Sequence, residues 1–395
     1  MPWKETDVYE ERAKFVFATL QKDWTMTELC RAFGISRKTG YKILNRFQKK
    51  GMEGLRDQSR APNTHPNKTC KKIEQILIAE RKKRPRWGPR KLLRLLESRH
   101  PDIDFPAIST AGDILKRHGL VKARKRRRTL IPKTQPFLHV SKPNDVWCGD
   151  YKGWFRTKDG MRCEPLTIMD CHSRYLLTCQ GCPSTQLDLA FKYFERAFRK
   201  YGLPSAIRTD NGGPFASPGL AGLSLLSVWW IKLGIIPERI DPGRPDQNGR
   251  HERMHLTLKQ ETAIPPEQTM SHQQRAFNRF VKEYNHIRPH ESLEDKTPAQ
   301  CYEKSLRSYP KALPEFEYER HLDVGVVDSM GGVKWRGTSV NLSPFLQGER
   351  IGFEQVTERR WKVYLGPMEI ALLDGPTAEV LRYSKCILRR EGEKT

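Results

Sequence analysis

The sequence has no long hydrophobic run and contains little cysteine. No stretch approaches the roughly 18 consecutive apolar residues of a membrane span, and the first residues lack the apolar core of a signal peptide. We therefore expect a soluble cytoplasmic protein with no membrane partner. The nine cysteines among 395 residues are irregularly spaced, which argues against a secreted disulfide framework and fits reduced thiols.

Acidic residues are scarce in one part of the chain only. Residues 1–138 hold 34 Lys and Arg residues but 14 Asp and Glu residues, a net charge of +20, whereas the rest of the chain carries +5. Such a basic front end predicts binding to a polyanion, and nucleic acid is the obvious partner. The alternative is a well-solvated basic surface. At this length, 37% hydrophobic content predicts two to four folded domains and excludes a disordered tail protein.

A helix-turn-helix is predicted between Met26 and Lys50, in a domain spanning residues 1–56. Apolar residues recur at helical spacing before Gly34, which permits a left-handed turn, and Ser36 is a good N-cap for the second helix. In such modules the start of the second helix faces the major groove. The residues expected to contact DNA are Ser36, Arg37, Lys38, Thr39 and Tyr41. A helical hairpin without a DNA role is the alternative.

The composition then alternates between linkers and a second helical module. Residues 57–69 are rich in Pro, Asn and Ser and predict a linker. Residues 70–121 predict a second helical DNA-binding module, winged or helix-turn-helix, with Pro89 near a helix start. Residues 122–139 predict a basic linker, because six of the seven residues from 122 to 128 are basic. Its expected phosphate contacts are Arg124, Lys125, Arg126, Arg127 and Arg128.

The sequence pattern changes again from about residue 140, where short apolar segments typical of strands begin. Strands are predicted over 145–155, 165–169, 174–179, 205–208 and 234–237, and helices over 187–201, 220–233, 249–262 and 271–286. This order predicts an α/β core over residues 140–310, in which helices cover a mixed sheet. Residues 315–395 are rich in strands separated by glycine turns, which predicts a small antiparallel β-barrel.

Three acidic residues of the predicted core occupy distinctive positions. Asp150 lies in an apolar strand, where a carboxylate is costly unless it is paired or holds a cation. Asp210 ends a strand just before two glycines, and Glu252 lies in the first turn of a long helix. Lys259 follows two turns later on the same helix face. Any one carboxylate alone would more often be a cap, a turn residue or a surface charge.

These residues lie within motifs that resemble a known family. The motifs are Trp147-x2-Asp150, Thr209-Asp210-Asn211-Gly212, Asn248-Gly249-x2-Glu252 with Lys259, and Tyr284-Asn285-x2-Arg288-Pro289-His290. Together they resemble the signatures of bacterial insertion-sequence transposases of the retroviral-integrase superfamily, over about residues 140–302. The helix-turn-helix front end is similar to that of these transposases.

The resemblance implies a multidomain protein with all-α helix-turn-helix modules, a ribonuclease H-like α/β catalytic core and DDE chemistry. It implies that Asp150, Asp210 and Glu252 bind metal and catalyse DNA cleavage and strand transfer. It also implies double-stranded DNA as partner, at the element's terminal inverted repeats and at the target, with a homo-oligomer on DNA near the bacterial nucleoid. One departure is the 41 residues between Asp210 and Glu252, longer than is usual in the family. We expect the excess within residues 217–230, at the wall of the site.

The triad also has a chemical rationale. Phosphodiester cleavage and transfer need an activated oxygen nucleophile and a stabilised leaving oxygen, which two Mg²⁺ or Mn²⁺ ions supply, and carboxylates suit both metals. A non-catalytic DNA-binding regulator and a structure-specific nuclease are the rival functions. Asp170 is interpreted as a structural cap at a strand end. Zinc at Cys179-x2-Cys182 is disfavoured, because one CxxC pair is a weak signal.

Overall fold

The predicted helix-turn-helix is present near the N-terminus. The computed structural model describes residues 7–59, 68–121, 140–241 and 245–388, so the predicted contacts Arg124, Lys125, Arg126, Arg127 and Arg128 lie outside the described residues. The chain divides into two compact units, Met1–Cys70 and Lys71–Thr395. The helices of the first unit are α1 (Val8–Gln21), α2 (Met26–Ala32), α3 (Arg37–Lys50) and a 3-10 helix (Gly51–Leu55).

The turn chemistry of this first unit agrees with the sequence. Gly34 has a φ of +62° between α2 and α3, and the Ser36 hydroxyl accepts a hydrogen bond from the Thr39 amide. Gly40 permits the two helices to pack closely, because a Cβ there would lie 2.6 Å from Cys30 Sγ. Helix α1, which the sequence did not predict, contributes Phe15 to the core between these helices.

The second helical block consists of three helices. They are α4 (Lys71–Lys83), α5 (Pro89–Arg99) and α6 (Ile108–Arg117). Pro89 opens α5, as predicted, because the first turn of a helix needs no donor there. The described residues of this block contain no strand, so the fold seen there is a three-helix unit without a wing.

A six-stranded mixed sheet forms the centre of the second unit. Its strands are β1 (Val146–Tyr151), β2 (Phe155–Arg156), β3 (Arg162–Asp170), β4 (Leu176–Cys182), β5 (Ala206–Thr209) and β6 (Ile236–Arg239). The pairing order is β2-β3-β1-β5-β6, and β4 pairs with β3. Strands β1, β5 and β6 are parallel, and β3 is antiparallel to β1. The predicted single strand over 145–155 is wrong, because Gly153, with a φ of +83°, separates β1 from β2.

Helices cover both faces of this sheet, as the element order predicted. They are α7 (Leu187–Tyr201), α8 (Leu225–Lys232), α9 (Gly249–Thr262), α10 (Met270–His286) and α11 (Pro298–Cys301). Adjacent residues of β3 point to opposite faces: Ile168 packs with α7 and α8, and Met169 packs with α9 and α10. Helix α8 starts later than predicted, since Gly222 adopts a φ of +67° and Ser224 caps the helix.

The C-terminal residues form an antiparallel sheet, and the predicted β-barrel is not confirmed among the described residues. The strands are β7 (Asp323–Val326), β8 (Gly332–Trp335), β9 (Thr338–Asn341), β10 (Arg350–Gln355), β11 (Arg360–Leu365), β12 (Met368–Asp374) and β13 (Glu379–Leu388). Five strands pair in the order β13-β12-β11-β10-β7, and β8 with β9 forms a separate hairpin. No ladder described there joins β7 to β13, so the sheet stays open.

The open sheet is covered by the segment between Asp210 and Glu252. Leu220, Leu223 and Ile231 from that segment share one hydrophobic core with Phe353 and Val363 of the sheet. Lys232 Nζ, at the end of α8, also lies 2.9 Å from Glu349 Oε1. Because the segment between Asp210 and Glu252 covers it, the sheet buries an apolar face without closing into a barrel. The unusually long spacing therefore has a structural role as the support of the C-terminal sheet.

The three-helix block of residues 71–117 is fastened to the loop after α10 by charged hydrogen bonds. Arg90 Nε and Nη2 lie 2.9 and 3.0 Å from the two carboxylate oxygens of Asp295, and Arg94 Nε lies 3.1 Å from Oδ2. The Asp295 side chain is only 8% exposed. The guanidinium carbons of Arg84 and Arg288 lie over the Trp87 ring, 5.0 and 5.6 Å from its centroid. Among the described residues, no helix is long and apolar enough to cross a membrane.

We predict that Asp295→Ala loosens this three-helix block, because it leaves two guanidinium groups without their shared acceptor. The expected cost is about 1–3 kcal/mol in the free energy of unfolding, measured by denaturant titration. Faster amide hydrogen exchange should be confined to α4, α5 and α6. Glu294→Ala, at a neighbouring side chain that is 86% exposed, is the control and should change neither quantity. Equal effects of both changes would contradict the prediction.

Candidate active site

Strand register brings Asp150 and Asp210 to the same level of the sheet. In the parallel pair β1 and β5, Cys148 lies opposite Arg208. Asp150 follows Cys148 by two residues, and Asp210 follows Arg208 by two residues. Since both strands run in the same direction, both carboxylates lie at the carboxyl edge of the sheet centre. This edge of a parallel sheet is where α/β proteins commonly place ligands.

The turn after β5 holds the Asp210 carboxylate in a defined position. The amide of Gly212 donates to Asp210 Oδ1 at 3.1 Å. A Cβ on Gly212 would lie 3.2 Å from Asp210 Oδ2, so the glycine leaves room for the carboxylate to fold back over the turn. Thr209-Asp210-Asn211-Gly212 thus acts as a positioning turn, and Asn211 Nδ2 fastens it by donating to the Ile240 carbonyl at 3.0 Å.

Glu252 contributes a third negative charge from the first turn of α9, where its side chain is exposed. Burial, together with the charges of Asp210 and Glu252, raises the pKa of Asp150 to about 7. The charges of the other two predicted carboxylates therefore act on Asp150. Such crowding of like charges is unfavourable in the protein alone, and it is relieved when a cation binds or a carboxylate is protonated.

Two buried histidines complete the site, and neither was predicted from the sequence. His251 and His255 flank Glu252 on α9, and their Nε2 atoms lie 2.7 and 2.6 Å from Thr167 Oγ1. Burial lowers the pKa of His251 to about 3 and lowers that of His255 well below its usual range. The available signal was the spacing His-Glu-x-x-His, which places two imidazoles on one face of a helix. One ligand atom each from Asp150, His251 and His255 lie within 4.8 Å of one another.

Lys259 lies on the exposed side of α9, beside a cavity of about 360 Å³. Lys152, Trp154 and Phe277 also line this cavity. It combines two ammonium groups with aromatic surface, a combination that suits phosphates and bases. The position of Lys259 next to these residues was not foreseen from the sequence.

A larger basic groove of about 1,910 Å³ runs between the three-helix block and α9. Its lining includes Lys91, Arg174, Arg250, Arg253 and Arg288. Burial, together with the charges of Arg288 and Arg253, lowers the pKa of Lys91 to about 8. Crowded cations of this kind are relieved by a polyanion. Sequence reasoning predicted basic character for residues 70–121 but not a groove shared with the core.

The predicted DNA-contacting residues at the start of α3 differ in whether their side chains are free to contact DNA. Ser36 and Thr39 are committed to the helix cap, with Ser36 Oγ 2.9 Å from Thr39 Oγ1. Arg37 and Lys38 are exposed at the start of α3, and the Tyr41 side chain is 47% exposed. All five stand at the start of α3, where they were predicted to be.

The weaker candidates prove to be structural. Asp170 ends β3 and accepts hydrogen bonds from the Asn144 amide and from the amide and hydroxyl of Ser173, as expected of a cap. Cys179 and Cys182 pack in different cores on opposite faces of the sheet, because an odd spacing along a strand reverses the side chain. They cannot hold one ion together. Among the described residues, the metal-type cluster found is the one with Asp150.

Family models match the two parts of the chain separately. Residues 140–245 and residues 233–298 each match a model described as "Integrase core domain". Residues 11–63 match "Helix-turn-helix domain", and residues 39–115 match "Homeodomain-like domain". The chain thus joins helix-turn-helix DNA-binding domains to an integrase core.

Proteins of bacterial insertion elements are similar in sequence. "Insertion element IS476 uncharacterized 39.2 kDa protein" of Xanthomonas euvesicatoria is 29% identical over 54% of this chain and 60% of its own length. "Insertion element IS407 uncharacterized 31.7 kDa protein" of Burkholderia multivorans is 25% identical over 55% of this chain and 76% of its own. The chain therefore spans under two thirds of the first of these relatives. The chain is thus similar to proteins of insertion elements, and its integrase core and helix-turn-helix matches agree with that similarity.

Solved integrase structures are also similar. A chain of the simian T-cell lymphotropic virus intasome, in complex with a PP2A regulatory subunit, is 20% identical, with 66% of this chain and 89% of that chain covered at a TM-score of 0.37. The HTLV-2 integrase catalytic core domain in complex with magnesium is 19% identical, with 41% of this chain and 98% of that chain covered at a TM-score of 0.32.

The raised pKa of Asp150 makes a prediction about stability. The folded protein keeps a proton that the unfolded chain, with an ordinary pKa of 3.8, has already released near pH 5. This contribution to stability is complete below pH 3.8 and is lost as the pH rises through about 7. Asp150→Asn cannot ionise, so with a chelator present its stability advantage over wild type should grow between pH 5 and pH 8. The growth should be on the order of 2–3 kcal/mol in the free energy of unfolding.

Denaturant titrations of both proteins at the two pH values measure this difference. Asp188→Asn, at an exposed position in the first turn of α7, is the matched control and should show a constant offset. An advantage of Asp150→Asn that is the same at both pH values would mean that the carboxyl is not held protonated by its surroundings.

Proposed function

We propose that the protein is a DNA transposase that binds the terminal inverted repeats of its element and catalyses metal-dependent strand cleavage and strand transfer. The observation that supports this proposal is that burial and the charges of Asp210 and Glu252 together raise the pKa of Asp150. Two parallel strands at the sheet centre and the first turn of a helix supply them. The integrase core and helix-turn-helix matches support the same function.

The three carboxylates suit two Mg²⁺ or Mn²⁺ ions. Carboxylate oxygens are hard ligands, and a divalent cation would offset the burial and the neighbouring negative charges that raise the pKa of Asp150. Bound there, such ions supply an activated oxygen nucleophile and stabilise the leaving oxygen of the phosphodiester. Asp150 and Asp210 would hold them from fixed strand ends, and Glu252 from the rim, where its exposed side chain is close to incoming DNA.

Residues around the carboxylates would position the DNA end. Lys259 and Lys152 present ammonium groups on the rim of the 360 Å³ cavity, where they would bind backbone phosphates near the scissile bond. Trp154 offers a partly exposed ring on which a terminal base could stack, and it is 56% exposed. Their contribution would be orientation, which lowers the barrier by holding the reacting groups together.

The remaining basic surfaces would bind the rest of the DNA. The start of α3, with Ser36, Arg37, Lys38, Thr39 and Tyr41, would read the element's end. The groove beside Lys91 and the basic run of residues 122–128 would follow phosphates towards the core. We keep the proposed segments 1–56, 57–69, 70–121, 122–139, 140–310 and 315–395 as the functional divisions. A homo-oligomer would join two element ends and target DNA at the nucleoid.

Two rival functions are separable by one assay. A regulator derived from a transposase would bind element ends without cutting them, and a structure-specific nuclease would cut without joining. Labelled duplexes bearing the element's ends, incubated with Mg²⁺ and a target plasmid, resolve binding, cutting and joining on one gel. Joined products support the transposase. Cutting without joining, or binding alone, assigns one of the rivals.

We predict that Asp150→Asn, Asp210→Asn and Glu252→Gln each abolish cleavage and joining but preserve end binding. Each change removes a metal-binding charge and keeps the shape of the side chain. Losing metal-assisted stabilisation of the transition state should cost several kcal/mol, or about a thousandfold or more in rate. Asp188→Asn is the control and should cut and join like wild type. An active Asp210→Asn protein would show that the triad is misassigned.

We predict that Arg37→Ala and Tyr41→Ala weaken sequence preference more than affinity for random DNA. Contacts to base edges carry about 1–3 kcal/mol each, whereas phosphate contacts act on all sequences alike. The measurement compares binding to a duplex selected by wild-type protein with binding to a scrambled duplex. Lys49→Ala, exposed near the end of α3, is the control and should lower both affinities equally or not at all. Equal losses for Arg37→Ala would move that residue to the phosphate-contacting class.

A further inference from the structure

Beside the carboxylate triad, α9 and β1 form a second arrangement of metal-type ligands. We infer that Asp150, His251 and His255 form a binding site for a transition metal of the Zn²⁺ type, and that an ion there withdraws Asp150 from the carboxylate site. Metal binding by the histidines does not depend on the proposed transposase activity, whereas the competition for Asp150 rests on the carboxylate site of the proposed function. The inference rests on which atoms around Thr167 donate and accept hydrogen bonds, and on the distances between the ligand atoms.

The Thr167 hydroxyl cannot donate a hydrogen bond to both histidines. It has one proton, which it donates to the Asp150 carbonyl oxygen at 3.1 Å. His251 and His255 must then donate to this hydroxyl from Nε2. Each imidazole is left with a bare Nδ1 atom carrying a lone pair. The Nδ1 atom of His251 is buried and has no hydrogen-bond partner among the described residues.

The Nδ1 atom of His255 faces a carboxylate across a gap that a hydrogen bond does not fill. It lies 3.6 Å from Asp150 Oδ2, beyond normal hydrogen-bond length. Two lone pairs therefore face each other at a distance typical of two ligands on one ion. Ligands about 2.1 Å from a tetrahedral Zn²⁺ are roughly 3.4 Å apart. A cation between these atoms would be bound by both of them.

The identity of the ligands selects the kind of metal. Two imidazole nitrogens and one carboxylate oxygen suit Zn²⁺ and related transition metals, whereas Mg²⁺ prefers oxygen ligands alone. His251 and His255 are four residues apart, so both side chains lie on the buried face of α9. Asp150 is the most exposed of the three, at 18% of its side chain, and offers the route of entry.

Because both sites use Asp150 as a ligand, the two sites cannot both bind a metal with all of their ligands at the same time. The carboxylate site needs Asp150 together with Asp210 and Glu252, and the second site needs it together with the histidines. A transition metal on the histidine side should therefore weaken the binding of an oxygen-preferring ion, and the reverse should also hold, because linkage is reciprocal. The histidines would make the chain sensitive to Zn²⁺ at the point where Mg²⁺ is required.

The direct test is Co²⁺ binding to the metal-free full-length protein, followed by its visible absorption. Wild type should bind one ion with the intense absorption of low-coordinate, nitrogen-ligated Co²⁺, and Zn²⁺ should displace it. His251→Gln and His255→Gln should each weaken binding by about tenfold or more, since even outer partners of metal ligands account for about 10- to 100-fold. His272→Gln, at an exposed position of α10, should bind like wild type.

Two further variants separate this site from the triad. Asp210→Asn and Glu252→Gln should keep the Co²⁺ absorption, because neither residue belongs to the histidine site. Bound Mn²⁺, followed by electron paramagnetic resonance, should be released by Zn²⁺ in wild type, with about tenfold more Zn²⁺ required in His255→Gln. X-ray absorption of the Zn²⁺-loaded wild type should report two imidazole ligands, which tests the site even if a variant fails to fold.

The overturning results are equally specific. If wild type binds Co²⁺ no more tightly than both histidine variants, or its Zn²⁺ shows no imidazole ligands, the histidines serve only to hold Thr167. If Asp210→Asn and Glu252→Gln lose the Co²⁺ absorption together with the histidine variants, the ion sits in the carboxylate site. Absent strand transfer with intact Co²⁺ binding would contradict the proposed function and leave this inference standing.

Discussion

The parallel pairing of β1 with β5 is the constraint on which the site depends. It fixes Asp150 and Asp210 at one level of the sheet, and it requires a crossover that α7 provides on one face. A slip of one residue in this pairing would turn one carboxylate to the opposite face. Phe194 resists such a slip, because it packs so closely under β1 that a Cβ on Gly149 would lie 2.8 Å from its ring.

The site is costly for the protein that builds it. Two neighbouring negative charges act on the buried Asp150, two imidazoles are buried beside it without charge, and arginines line the neighbouring groove. Each arrangement lowers stability in the free protein and becomes favourable when a cation or a polyanion binds. Such local conflicts with folding are typical of functional sites, and here the negative and positive ones lie on adjoining surfaces of α9.

The sequence was informative where local chemistry decides the structure. The bounds of α7 and α9 were predicted to the residue, because their apolar spacing and flanking turns are local signals. The roles of His251 and His255 were missed, since their partner Thr167 lies 84 and 88 residues away. The predicted barrel is not confirmed for a related reason: alternating strands predict a sheet, but not which edges meet or what covers the open face.

The long spacer between Asp210 and Glu252 supports the C-terminal sheet. This support limits which parts of the chain can be deleted or exchanged separately. Leu220, Leu223 and Ile231 are buried against the C-terminal sheet. Deleting that sheet would therefore expose an apolar surface on the α/β core. The spacer and the sheet thus depend on each other for burial, although 91 residues lie between Ile231 and Asp323. A variant that kept the spacer but lacked the sheet would expose these apolar side chains to solvent.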